Sequence, residues 1–202
     1  VLNDSDFYTT ESSSSYSGYS TVTGFQGEQA LTSAITAVTS DQTPVAYLLQ
    51  GHNESVSTAF TSMLTNAGFT VSLLNLTEEK EIPDDASIVV ISLPQADLTE
   101  TEADLIDAFV KGGGDLMVFD GTLSPTSLPV LYSYLKEWGA DVQADMVLDA
   151  DYNINEEPDI LAQLTDSDVN SALDSKTDMV LVTPNAKSIT AKLDSSVTDR
   201  TI

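Results

Sequence analysis

The chain has 202 residues, 41% of them hydrophobic, and sets 32 acidic side chains against seven basic ones for a formal net charge of -25. That length and apolar content suit a globular protein with a sizeable core, one domain with an extension or two small ones. The charge excludes nucleic acid, because so few Lys and Arg can neither neutralise phosphates nor release counterions, and it repels anionic lipid. There are no cysteines, so disulfides, Cys–Zn sites and cysteine nucleophiles are excluded too. Cations, cationic peptides and basic protein faces remain as electrostatic partners.

Residues 1–26, with Ser12 to Ser15 and Tyr8, Tyr16 and Tyr19, are too polar to form a core and read as an extended Ser/Tyr-rich arm or hairpin. Leu31, Ile35 and Val38 recur at helical spacing and predict a helix over 28–39, ending before Pro44. Regular alternation follows. Residues 45–49 are an apolar run, a buried strand. His52-Asn53-Glu54 is a polar turn, with Asn53 or Ser55 able to cap a helix marked by Phe60, Met63, Leu64 and Ala67. Gly68 is a helix stop. Strands are predicted at 69–76, 87–93, 116–119 and 146–148. Helices are predicted from Thr99, ended by Lys111 and the glycines at 112–114, and over 128–138, ended by Gly139. Glu100 and Glu102 suit a helix N-terminus. Phe60, Met63, Phe69, Phe109, Met117, Phe119 and Trp138 are assigned to inward faces.

Short apolar strands alternating with amphipathic helices define an α/β fold: a doubly wound, mainly parallel sheet over residues 27–149, covered on both faces. After Asp149 the pattern weakens. Residues 150–202 are expected to form an appendage, with short apolar stretches at 160–164 and 169–173 and strands near 179–182 and 188–193. No run approaches the roughly 18–20 apolar residues of a membrane span. The chain starts without Met and stops at Thr201-Ile202 in what reads as a strand, so it is expected to be a piece of a longer protein.

In open α/β sheets, ligands bind at the carboxyl ends of the strands. Three loops are expected there: Gly51-His52-Asn53-Glu54, Pro94-Gln95-Ala96-Asp97 and Asp120-Gly121-Thr122. They offer the chain's single imidazole with carboxylates and amides, and His52, Glu54, Gln95 and Asp120 form the candidate ligand-binding set. Structural readings stand beside this one: Glu54 at a helix N-terminus, Asn53 or Ser55 as a cap, and Asp120-Gly121 in a tight turn. Neither G-x-S-x-G nor a nucleotide-binding glycine motif occurs, so no catalytic residue and no cofactor is assigned. Asp149, Asp151, Asn153 and Asn155 imitate the start of a calcium loop. Ile154 and Ile160 stand where that loop needs its glycine and its bidentate glutamate, so no metal ligand is assigned.

The run Gly27-Glu28-Gln29-Ala30-Leu31, then Pro44-Val45-Ala46-Tyr47-Leu48-Leu49-Gln50-Gly51-His52-Asn53-Glu54, resembles the extracytoplasmic region of GldG-type proteins, auxiliary components of bacterial ABC transporters. The resemblance continues through Ile82-Pro83-Asp84-Asp85-Ala86, Pro94-Gln95-Ala96-Asp97-Leu98, Gly112-Gly113-Gly114-Asp115-Leu116, Glu137-Trp138-Gly139 and Leu181-Val182-Thr183-Pro184-Asn185-Ala186. It implies a flavodoxin-like or glutamine-amidotransferase-like domain on the extracytoplasmic face of a bacterial membrane, anchored by flanking helices. It also implies the permease and ATPase subunits of the same system as partners, with an envelope component or a small solute as further ligands. The family's usual G-H-G-E is G-H-N-E here, and Asn tolerates the left-handed backbone such a turn needs. The expected function is non-enzymatic binding or scaffolding. The alternative is a degenerate amidotransferase- or hydrolase-like enzyme with His52 as base.

Overall fold

The computed structural model describes residues 3–12, 20–39, 43–154, 158–162 and 181–191. The stretch expected at 169–173 lies outside them. The chain divides into two units, Val1–Pro94 with Leu105–Phe119, and Gln95–Asp104 with Asp120–Ile202.

In the first unit a 3₁₀ turn (Asp4–Phe7) leads into β1 (Tyr8–Ser12) and β2 (Ser20–Phe25), which pair with each other as an antiparallel hairpin. Helix α1 (Gly27–Thr39) forms where the spacing placed it, and the Ser33 hydroxyl donates to the Asn66 carbonyl of the next helix. Its apolar residues Leu31, Ile35 and Val38 are exposed.

Strand β3 (Val45–Leu49) then alternates with α2 (Thr58–Asn66), β4 (Thr70–Leu74), the short α3 (Leu76–Glu79), β5 (Ala86–Ser92), α4 (Glu100–Lys111) and β6 (Asp115–Phe119). The four strands form one parallel sheet in the order β4-β3-β5-β6. That is the flavodoxin-like order, with the direction of winding reversing between β3 and β5. Central strands bury both faces, which explains the unbroken apolar run of β5: Val89, Val90 and Ile91 are wholly buried. Ala46, Leu48, Leu64 and Val90 form a core cluster with the partly buried Phe60, Phe69 and Ile88 packed against it, each fully buried large side chain contributing about 1.5–3 kcal/mol of transfer free energy.

Three expected core residues are exposed. Met63 lies on the solvent side of α2, and Met117 and Phe119 lie on the edge strand β6, whose burial alternates. Phe119 packs edge-on to Phe60 at 5.0 Å between ring centroids.

Helices stop as their sequences dictate. Gly68 and Gly113 have φ of 93° and 97°, a region side chains disfavour. At Gly114 a Cβ would fall on the Phe109 ring, which would have to move to admit it.

In the second unit α5 (Pro129–Glu137) is followed by β7 (Ala140–Val142), β8 (Asp159–Ala162), β9 (Leu181–Pro184) and β10 (Ile189–Ala191). β7 pairs antiparallel with β10, and β8 with β9. The strand expected at 146–148 is absent. Met146 and Leu148 are exposed, and the Val147 N–H donates to the Ala186 carbonyl at 2.8 Å. The strand lies six residues earlier because Gly139 (φ 92°) lets the chain turn out of α5 at once.

Candidate functional site: the His52–Glu54 loop at the end of β3

Beyond Leu49 the chain makes one more sheet-like bond, Gln50 N–H to the Leu74 carbonyl at 2.8 Å, and then turns sharply. Gly51 takes φ 121°, and Asn53 takes φ 55°, the left-handed geometry expected of it. These two positions fold Glu54 back over His52. One carboxylate oxygen of Glu54 accepts the His52 backbone N–H at 2.8 Å, and the other lies 2.9 Å from Nδ1. The two side chains are 6% and 4% exposed.

Burial alone raises the pKa of Glu54. The hydrogen bonds from the His52 ring, from its own backbone N–H and from the His52 N–H outweigh this and hold the carboxyl below its usual range. An ionised carboxylate only accepts, so Nδ1 carries the proton of this contact.

Glu54 therefore closes its own loop rather than facing a helix N-terminus. The cap of α2 is Ser57, whose hydroxyl accepts the Phe60 N–H at 3.2 Å, and neither Asn53 nor Ser55 takes that role. Ser55 is used at the strand reversal. Its N–H donates to the Ser92 carbonyl at 3.0 Å, and the Ser92 hydroxyl donates back to its carbonyl at 2.6 Å. This pair ties the loop after β3 to the end of β5. The open space lies on the other side, between the ends of β3 and β4 and helix α2. It is a cleft of about 550 Å³ lined by Gln50, Asn53, Glu54 and Thr61 among Leu49 and Leu73.

His52 and Glu54 belong to the first unit, Gln95 and Asp120 to the second. Gln95 is exposed. Asp120 is the centre of a network that sequence reasoning did not find. Its carboxylate accepts the Tyr132 hydroxyl, the Gly121 N–H at 2.8 Å and the Lys187 ammonium at 2.9 Å. Lys187, 8% exposed, also donates to the Leu123 carbonyl at 2.5 Å and the Tyr132 oxygen at 2.9 Å. Burial, and then the Asp120 hydrogen bond and charge, push the Tyr132 phenol well above its ordinary pKa. The available signal was scarcity: Lys187 is one of seven basic residues in a chain with 32 acids, immediately after Pro184-Asn185-Ala186.

The other loop acids also hold structure. Asp97 accepts the Val130 and Leu131 N–H groups at 2.8 and 3.1 Å and so caps α5 from 33 residues away. In the calcium-like string, Asp149 accepts the Asp151 and Tyr152 N–H groups, both at 2.9 Å, which hold its pKa low. Residue 155 of that string lies outside the described residues. Among the described residues no group of three His, Cys, Asp or Glu could hold a metal ion, and no helix is long and apolar enough to cross a membrane.

A four-stranded parallel sheet in this order, flanked by helices, defines a doubly wound α/β protein of flavodoxin-like type. The chain belongs to the family described as "ABC-type uncharacterized transport system", whose model matches residues 47–157, more than half its length. It is thus an auxiliary protein associated with ABC transport. No curated protein matches it. Among solved structures the mmIFT52 N-terminal domain is similar, with 16% identity, a TM-score of 0.58, and coverage of 73% of this chain and 68% of that one. At that identity the likeness speaks for the fold alone.

Proposed function

We propose that the chain is a non-enzymatic, extracytoplasmic binding or scaffolding domain of a GldG-type membrane protein, anchored by helices outside this sequence. It contacts the permease and ATPase subunits of its own ABC system, and the cleft beside His52 and Glu54 receives a small solute or a partner loop. The observation that carries this reading is how the polar groups at the strand ends are used. Glu54 holds His52, Ser92 holds Ser55, Asp97 holds α5, and Asp120 holds Lys187 and Tyr132. Such groups fix the loops within each unit, and a pre-ordered loop lowers the cost of binding.

One feature favours the alternative enzyme. A carboxylate on Nδ1 is how an imidazole is oriented as a general base. A covalent mechanism would also need a side-chain nucleophile, and the sequence holds neither Cys nor a serine elbow.

The two readings separate in a panel of esters, amides and glycosides incubated with the 202-residue chain and with His52→Ala. The binding reading expects no turnover above buffer by either. Turnover by the wild type that His52→Ala abolishes would replace it with the enzyme.

A further inference from the structure

At the opposite ends of the strands from the His52 loop, the first unit has a groove of about 750 Å³ between the loop before β5 and the end of α4. Its walls are apolar: Ile82, Pro83, Leu105, Ala108 and Phe109. Its three ionisable lining residues, Glu81, Asp84 and Asp115, are exposed carboxylates, and none of the lining residues is basic. The glycines at 112–114 leave the floor free of side chains, Gly114 because the Phe109 ring occupies the position of its Cβ.

Helix α4 ends at this lip, so the negative end of its dipole, about half an elementary charge, adds to the carboxylates. The last residue of the helix, Lys111, is turned to Asp107 at 2.6 Å.

We infer that this groove receives a lysine or arginine side chain from an otherwise apolar segment of a partner protein. Apolar walls suit the methylene stem, and the carboxylates with the helix end suit the charged head. A bare metal ion does not fit the same features, because no three acidic side chains among the described residues converge. Anionic lipid and nucleic acid are repelled by the overall charge. The groove lies within the residues shared with the transport family and is independent of the His52 loop.

The test titrates the 202-residue chain, at about 0.15 M salt, with an acetylated and amidated hexapeptide in which one arginine stands among leucines and alanines. The same peptide with citrulline for arginine removes charge while keeping shape. Amide NMR shifts are expected at Ile82, at residues 84–87 and at 112–115, with citrulline weakening binding about tenfold. Asp84→Asn with Asp115→Asn should weaken the arginine peptide about fivefold, while Glu100→Gln with Asp104→Asn, equal in charge and at the other end of α4, should change it less than about twofold. Ala108→Trp, which fills the groove, should abolish the local shifts. Equal weakening by both charge-neutralised pairs, equal binding of the citrulline peptide, or shifts confined elsewhere would each overturn the inference in favour of general attraction to an acidic surface.

Discussion

Replacing Lys187 by methionine should destabilise the β9–β10 segment by about 2–3 kcal/mol. The number follows from burial. Removing one partner of a fully buried ion pair costs about 3–5 kcal/mol, and of an exposed pair about 0–1. Lys187 is 8% exposed but Asp120 is 32% exposed, so water can rehydrate the abandoned carboxylate and the cost falls between those limits. Methionine preserves the volume of the stem, which isolates the lost charge and its hydrogen bonds to Asp120, Leu123 and Tyr132. Hydrogen exchange is the assay of choice, read at the Val147 amide, bonded to the Ala186 carbonyl, and the Gln143 amide, bonded to the Ser188 carbonyl. A loss of 2–3 kcal/mol there is about a 30- to 150-fold loss of protection. A double-mutant cycle with Asp120→Asn should return a coupling of about 1–2 kcal/mol. A change under about 0.5 kcal/mol at both amides would refute the reasoning, since it would mean the ammonium behaves as an ordinary surface charge.

Glu54→Gln should cost about 2 kcal/mol at neutral pH, on the scale of hydrogen bonds to a charged acceptor. Because the folded-state pKa of Glu54 is lowered, its contribution is present above the ordinary carboxyl value and lost as pH falls through the folded value. Urea denaturation should therefore show the variant and wild type converging in acid, and a gap constant with pH would contradict this. Asn53→Gly should be neutral or slightly stabilising and Asn53→Ala should cost about 1 kcal/mol, because φ is 55°. Equal denaturation midpoints for the two variants would argue against that. Asp97→Ala should lower stability by about 1–2 kcal/mol through loss of the α5 cap, measurable by thermal unfolding, with Asp97→Asn intermediate.

Much of the parallel sheet was legible because its signals are local. The run Val45-Ala46-Tyr47-Leu48-Leu49 is apolar because β3 is a central strand, and the glycines at 68 and 113 mark real reversals of φ. The error at 146–148 has a local cause as well. Met146-Val147-Leu148 looks like a buried strand, while the true strand β7 carries Asp141, an acid that the pattern discards and that pairs with Lys136 at 3.1 Å. Which of Asn53, Ser55 and Ser57 caps α2 is not a local question. All three can cap, and Ser55 is claimed by Ser92, 37 residues away.

The site divides in the same manner. His52 and Glu54 are two residues apart, and their loop could be read from glycine, asparagine and charge. The contacts of Asp120 with Lys187 span 67 residues, and Tyr132 meets Lys187 across 55, separations at which no sequence period operates. Asp97 looked like a ligand-facing loop acid and is a helix cap made from a distance.

The most direct test of the binding role is recovery of partners. On the proposed reading, the membrane-anchored protein, tagged and solubilised in mild detergent, should co-purify with the permease and ATPase of its own ABC system in near-stoichiometric amounts. Recovery of the protein without either subunit, at expression levels where both are present in the membrane, would contradict the account.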